Sequence, residues 1–180
     1  MGEDIGRVGS RYDFRLHYKS AAKNGALILV ISLMNRIIAG KILMTAVLLI
    51  GAILGFALDW SSNHLLNPDW HPHARFHGAL LLFLLTGVSM TGVWLLWRES
   101  REPDVAMKTA ALISASFWSP FFYITSLLPQ STLWAGRQGA QPHLAGRLVY
   151  PNVVVAGAFL FVTATAYWLT RSRPPEPHKQ

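Results

Sequence analysis

Residues 78–97, GALLLFLLTGVSMTGVWLLW, form an apolar block in which no side chain is charged. A block of about 20 apolar residues is long enough to cross the hydrocarbon core of a bilayer as an α-helix. Other long apolar blocks precede and follow it, and of the 180 residues in the chain 52% are hydrophobic and only 14% are charged. The sequence therefore predicts an all-α integral membrane protein.

The apolar blocks predict a four-helix transmembrane bundle, in which short links make neighbouring helices antiparallel. The four helices are expected at residues 38–58, 73–97, 105–128 and 149–170. Pro120 predicts a kink in the third helix. Residues 25–33 are apolar but too short to span a bilayer alone, and Arg36 and Lys41 interrupt the run soon after them. An interfacial N-terminal helix is therefore expected ahead of the bundle.

Basic residues indicate how the chain is oriented in the membrane. They are concentrated in a tail at residues 1–24, in the turn at residues 98–104 and in a Pro-rich tail at residues 171–180. The two tails flank a single transmembrane domain at residues 25–170. The link at residues 59–72 has no Lys or Arg. The positive-inside rule then places both termini in the cytoplasm and this link on the extracytoplasmic or lumenal side. The formal charge of +7 is explained by membrane lipids as partners, and no nucleic acid is expected.

Several classes of function are disfavoured by residues that the chain lacks. Cysteine is absent, which excludes disulfides, thiolate metal sites, iron–sulfur clusters and a cysteine nucleophile. No charged residue lies mid-span between residues 79 and 96 or between residues 153 and 170. Proton pumps and ion-coupled transporters usually need such buried groups, so the sequence argues against both.

A polar stretch, NPDWHPHARFH at residues 67–77, leads directly into the second predicted span. Asp69 is the predicted N-cap of this helix, and Pro72 is tolerated in its first turn. His73 and His77 then stand four residues apart, so that they share one helix face. Imidazoles at this spacing can bind one metal ion together, as in two-histidine zinc sites on helices.

Other polar residues of the two outer loops can complete a metal site. His64 or His71 is a candidate third ligand, His143 can close the ring from the other loop, and Asp59 or Asp69 can add a carboxylate. The predicted ligands of a divalent metal ion, whose identity stays open, are His64, His71, His73, His77 and His143. Acid–base chemistry, recognition of a lipid headgroup and simple interfacial packing are the alternatives for the same residues.

The residues expected to take part in catalysis are His73, His77, Asp59 and Arg75. Arg75 enters the hydrocarbon region unless it faces the bundle interior, and ionisable groups there usually have a function. It is expected either to pair with Asp59 or Asp69 or to bind a phosphate or carboxylate of a ligand. The alternative is that its side chain extends to the outer headgroups.

Small and hydroxyl-bearing residues of the spans predict helix packing. Gly51 and Gly55 form a G-x-x-x-G pair, which is typical of close helix contact within the chain or with a homo-oligomer or membrane-complex partner. The serines and threonines of the third span are expected to make hydrogen bonds between helices. Asn152 is expected to complete an outer cavity with His143.

The stretch 67–77 resembles the motif N-P-x-W-P-P-H-A-[RK]-F-H of a poorly characterised group of small multi-span membrane proteins. The matching residues are Asn67, Pro68, Trp70, Pro72, His73, Ala74, Arg75, Phe76 and His77. His71 stands where that motif has proline. The resemblance implies that His73, Arg75 and His77 belong to one site. A more distant, fold-level likeness is to the four-span sterol-isomerase and sigma-2-receptor-like superfamily.

Two functions therefore stay open. The first is binding or transformation of a hydrophobic small molecule or lipid at the His-rich mouth, by isomerase-like acid–base chemistry or by a metal-dependent step. The second is a non-catalytic role as an accessory or assembly subunit of a larger membrane complex. The sequence alone does not decide whether the chain is an enzyme.

Overall fold

A computed structural model describes the backbone of residues 6–134 and 141–171, and the side chains of residues 25–134 and 141–171. These residues are mostly helical. The five α-helices are α1 (Gly6–Asp59), α2 (Pro72–Trp97), α3 (Pro103–Trp118), α4 (Ile124–Leu127) and α5 (Pro151–Thr170). A 3₁₀ helix at Ser119–Phe122 joins α3 to α4, and two short strands, β1 (His143–Leu144) and β2 (Arg147–Leu148), form an antiparallel hairpin before α5.

Three helical segments of the described chain are long and apolar enough to cross a membrane. They are Gly25–Asp59, Pro72–Trp97 and Pro151–Thr170. The chain is therefore a multi-pass membrane protein, as the sequence predicts. The second and fourth predicted spans match α2 and α5 to within two residues at each end.

The third predicted span, residues 105–128, is divided into shorter pieces. α3 ends at Trp118 after 16 residues, and the four-residue 3₁₀ helix and α4 follow. Pro120 has no N–H to donate to the carbonyl of Ser116, so the α-helical hydrogen bonding stops there and the backbone tightens. The α-helix thus ends before Pro120, where the sequence predicts a kink within one helix, and α3 alone is shorter than a membrane span.

The chain divides into two compact units, residues 1–38 and residues 39–180. In the first unit, the apolar side chains described between Leu27 and Ile38 are exposed. Helix α1 is assigned from Gly6 to Asp59 and therefore includes the residues where an interfacial N-terminal helix is expected. Arg36 and Lys41 lower the hydropathy of the sequence there, but arginine and lysine have good helix propensity and do not end a helix.

The core of the second unit is formed where four helices meet. Its buried cluster comprises Met44, Leu48, Leu96, Met107, Ala110 and Ala166. Deeper in the unit, the buried hydroxyl groups of Ser114 and Thr163 lie 2.6 Å apart. The Thr163 hydroxyl donates to the carbonyl of Phe159, so Ser114 donates to Thr163. The predicted hydrogen bonding between helices is confirmed for this pair.

The pair Gly51 and Gly55 lies on a face of α1 that is covered within the chain. A Cβ atom added to Gly51 would lie 3.3 Å from Cζ2 of Trp118, and one added to Gly55 would lie 3.3 Å from Cδ2 of Leu82. The glycines thus allow α2 and α3 to approach α1 closely. Their expected role in binding an oligomer or complex partner stays a prediction.

The segment from α3 to the 3₁₀ helix follows α5 along most of its length. Met107, near the start of α3, shares the core cluster with Ala166, near the end of α5. Trp118 stacks on Phe159 with ring centroids 4.4 Å apart. Farther along, a Cβ atom added to Gly157 would lie 3.7 Å from Cζ of Phe122. The two segments therefore run antiparallel, side by side.

Candidate functional site

The link between α1 and α2, residues 60–71, is folded into compact turns. The backbone N–H of Leu65 donates to the carbonyl of Asp59 at 3.0 Å, and that of Asn67 donates to the carbonyl of His64 at 2.9 Å. The backbone N–H of Asp69 donates to Oδ1 of Asn67 at 2.9 Å. These bonds hold the polar residues of the link close to the start of α2.

His71, and not Asp69, is the N-cap of α2. Its Nδ1 atom accepts a hydrogen bond of 3.2 Å from the backbone N–H of His73, and Pro72 occupies the first helical position. The prediction of Asp69 as the cap is wrong because proline favours the N1 position, which makes the residue immediately before Pro72 the cap. The departure from the motif at position 71 thus places a capping side chain at the helix start.

His73 and His77 form an exposed pair on the first two turns of α2. Their Nε2 atoms are 3.0 Å apart, and the ring planes are nearly perpendicular, at 87°. In this contact one Nε2 donates a proton and the other accepts it. The ring of Phe76 lies against both imidazoles, 6.2 Å from His73 and 5.4 Å from His77 between centroids. The prediction that these two histidines share one helix face is confirmed.

Arg75 binds the backbone of the link and does not pair with a carboxylate. Its Nε donates a hydrogen bond of 2.6 Å to the carbonyl oxygen of Leu65. The expected pairing with Asp59 or Asp69 is therefore wrong. The turns of the link place a backbone carbonyl, and not a carboxylate, next to the guanidinium. The terminal nitrogens of Arg75 make no hydrogen bond to the part of the chain that the structure describes. They are available to a ligand.

Leu65 fixes the link to α2 through its side chain as well. It is only 5% exposed. A Cβ atom added to Gly78 would lie 2.6 Å from Cδ2 of Leu65, so only glycine at position 78 leaves room for this side chain as it stands. Arg75 and Gly78 are one turn apart on α2, and together they hold the carbonyl and the side chain of one residue. Sequence reasoning missed Leu65 and Gly78.

A second pair joins Asp59, the last residue of α1, to His64 in the link. Nε2 of His64 is 3.8 Å from Oδ1 of Asp59, and the His64 ring meets Trp70 edge-on at 6.2 Å. Nδ1 of His64 is buried and has no hydrogen-bond partner among the described residues. This pair orders the end of α1, so Asp59, a predicted catalytic residue, contacts His64 and not His73 or His77.

The five histidines predicted as metal ligands do not assemble into one site. Within residues 25–134 and 141–171, no group of three or more His, Asp or Glu side chains is arranged to hold a metal ion. His71 uses Nδ1 as a helix cap, and His64 faces Asp59. Only His73 and His77 present adjacent ring nitrogens. Two zinc ligands in tetrahedral geometry would be about 3.3 Å apart, which is close to the observed separation.

The segment before α5 has its own contacts. The side-chain amide of Asn152 donates to the carbonyl of Leu133 at 2.8 Å, which ties the start of α5 to the link before it. Asn152 thus has a structural contact at the position where a cavity residue was expected. His143 is exposed on β1, and the hairpin turns at Ala145 and Gly146, both with positive φ. That conformation is typical of a two-residue type I′ turn.

The chain belongs to a family of unknown function, DUF6640, which it matches over residues 42–176. The match begins within α1, at residue 42, and includes the His-rich stretch 67–77 and helices α2 to α5. Membership agrees with the resemblance to a poorly characterised group. No curated protein and no solved structure matches the chain.

Proposed function

We propose that this protein binds the polar end of a hydrophobic small molecule or lipid through His73 and His77, at the extracytoplasmic or lumenal face of the membrane. The observation that carries the proposal is the 3.0 Å contact between the two exposed Nε2 atoms. Because the two Nε2 atoms bond each other, the pair offers a ligand its two Nδ1 atoms, one a donor and the other an acceptor, at the point where α2 enters the apolar layer. Phe76, 60% exposed beside them, supplies an apolar contact for the rest of the ligand.

The same pair is suited to acid–base chemistry on the bound molecule. An isomerisation removes one proton from the substrate and returns one to it, so no net proton is consumed. One neutral imidazole accepts the first proton at Nδ1 and passes its Nε2 proton across the contact to the partner's Nε2, and the partner then donates its own Nδ1 proton, so both rings end neutral. The terminal nitrogens of Arg75 can bind an oxygen that gains negative charge during the step. Metal-assisted chemistry is the variant in which a divalent ion takes the place of the shared proton.

The proposed site needs a defined membrane topology. We propose four crossings, with residues 103–127 as the third, and both termini in the cytoplasm. The antiparallel course of α3 and the 3₁₀ helix beside α5 supports a third crossing, because the pairs Met107–Ala166 and Trp118–Phe159 lie at different depths. Basic residues at the α2–α3 turn support the orientation.

Single-cysteine labelling tests this topology without background, because the chain has no cysteine. Intact cells that carry Asn63→Cys, Ser100→Cys or Leu144→Cys would each be treated with a membrane-impermeant maleimide. With four crossings, Asn63→Cys and Leu144→Cys react and Ser100→Cys reacts only after permeabilisation. If Leu144→Cys behaves like Ser100→Cys, residues 103–127 do not cross and the four-span bundle is wrong.

Ligand binding is tested by mass spectrometry of small molecules that co-purify with the full-length chain in detergent. We expect one class of amphiphile to be enriched over bulk lipid in the unchanged protein. His73→Gln and His77→Gln should each lower that enrichment about tenfold, which corresponds to the loss of one hydrogen bond to a ligand. His143→Gln, a change at an exposed histidine of the other loop, is the matched control. Identical profiles in all four proteins would refute the proposal.

An accessory-subunit function remains the second candidate. It is favoured by the exposed apolar side chains between Leu27 and Ile38. In that case a larger complex should co-purify with the chain, and charged substitutions in residues 27–38 should release it while His73→Gln has no effect. Release by His73→Gln instead would point back to the histidine pair.

A further inference from the structure

A groove opens between α3 and α5 at the end of the bundle opposite to the histidine pair. Its cavity volume is about 190 Å³, and it is partly open to the surroundings. The residues that line it are Asp104, Met107, Lys108, Tyr167, Thr170 and Arg171. A lysine of α3, the arginine that caps α5, a tyrosine and a methionine thus meet in one concave surface. The proposed function makes no use of these residues.

The two cations of the groove are free to bind a ligand, unlike their neighbours. Lys108 and Arg171 form no ion pair with any carboxylate in the described part of the chain. In contrast, Nζ of Lys41 lies over the ring of Trp97 at 5.7 Å, and the guanidinium of Arg98 lies over Trp94 at 5.2 Å. Those contacts already satisfy part of the charge at the same end of the bundle.

The hydroxyl groups of the groove are not equivalent. Thr170 donates its hydroxyl proton to the backbone of its own helix, at 2.9 Å from the carbonyl of Tyr167. Tyr167 lines the groove, and its hydroxyl makes no hydrogen bond within the described residues, so it can serve as a donor. An anion in the groove would therefore meet two cations and one neutral donor.

We propose that this groove binds the phosphodiester of an anionic phospholipid in the adjacent leaflet. Basic pockets between transmembrane helices recognise such headgroups. Lys108 and Arg171 contribute two positive charges and Asp104 one negative charge, so the lining carries a net charge of +1. That value matches the single negative charge of a phosphodiester better than the two charges of a phosphomonoester. The buried side chain of Met107 forms an apolar wall of the groove, beside the glycerol and acyl chains of the lipid.

Native mass spectrometry of the full-length chain in detergent tests the proposal directly. The probes are phosphatidylglycerol, phosphatidylcholine and inorganic phosphate. We expect phosphatidylglycerol to remain bound to the unchanged protein at least tenfold more tightly than phosphatidylcholine. The Lys108→Gln/Arg171→Gln variant should lose about tenfold or more of this affinity, since each surface cation adds to the attraction. Arg98→Gln is the matched control, because it removes a cation that already lies over an indole.

A variant that is expected to strengthen lipid binding distinguishes a lost site from simple misfolding. Asp104→Asn removes the one negative charge of the groove, so it should strengthen binding of phosphatidylglycerol severalfold. The proposal is overturned if Asp104→Asn has no effect or weakens binding, or if Arg98→Gln weakens it as much as the double variant. Equal affinity for inorganic phosphate would identify a free-anion site instead and would also overturn it.

Discussion

Nε of Arg75 donates a 2.6 Å hydrogen bond to the carbonyl oxygen of Leu65, which links the start of α2 to the turn-rich link ten residues earlier. The contact joins a charged side chain to a backbone carbonyl. The position of that carbonyl is set by the path of the backbone and not by a side chain. The histidine pair flanks Arg75 in the sequence on both sides. The position of His73 and His77 relative to the link therefore depends on this one bond and on the burial of Leu65.

Arg75→Gln should loosen the link without unfolding the bundle. The hydrogen bond involves a charged donor, so its loss is expected to cost about 1.5–3 kcal/mol of unfolding free energy. Hydrogen exchange of residues 60–71 should become faster, and exchange of α5 should stay unchanged. Arg147→Gln, at an exposed arginine of β2, is the control. Unchanged exchange in residues 60–71 would show that Leu65 alone holds the link.

His71→Ala should shorten α2 at its start. The Nδ1 atom of His71 caps the backbone N–H of His73, and the loss of an N-cap typically costs about 1 kcal/mol. His71→Asn should restore most of that stability, because asparagine is a good N-cap residue. Asp69→Ala should have a smaller effect on the thermal midpoint. If Asp69→Ala is the more damaging change, Asp69 caps the helix in solution.

Gly40→Ala and Gly87→Ala should change stability in opposite directions. A Cβ atom at Gly40 would lie 2.7 Å from the backbone carbonyl oxygen of Ala166, which cannot rotate away. Overpacking of this kind costs about 1–3 kcal/mol. At Gly87 a Cβ atom would meet nothing within 4 Å, so the better helix propensity of alanine should add up to about 1 kcal/mol. Thermal unfolding in detergent measures both.

Metal binding by His73 and His77 should be weak. Two imidazoles supply half of a tetrahedral zinc site, and no third ligand is near them in the described residues. Elemental analysis of protein purified without chelators should therefore find far less than one zinc per chain, and dialysis should remove it. The double variant His73→Gln/His77→Gln should contain none. Zinc that stays near one equivalent after dialysis would mean that further ligands assemble around the pair.

Apolar patterning predicted α2 and α5 well, because a long uncharged run has few alternatives to a membrane helix. It was less accurate where one residue changes the backbone. Pro120 divides the third segment, and its effect on helix length could be stated from the sequence only as a kink. Arg36 and Lys41 suggested a boundary in α1 that the backbone does not have.

The histidine pair was predictable because residues four apart on a helix always share a face. The partner of Arg75 was not, since a backbone carbonyl has no sequence signature and can belong to any residue. The sequence offered only a weak indication for Gly78, which is a small residue at the start of the apolar block that follows the link containing Leu65. The cap at His71 could have been found by taking Pro72 as the first helical residue and moving back one position.

The exposure of His73 and His77 has a consequence for their occupancy if they bind a lipid-like molecule. Both rings face outward from α2, so a ligand dissolved in the bilayer reaches them by lateral diffusion in two dimensions. Occupancy then follows the mole fraction of the ligand in its leaflet and not its concentration in water. Diluting the membrane with inert lipid should empty the site, whereas diluting the aqueous suspension should leave it filled.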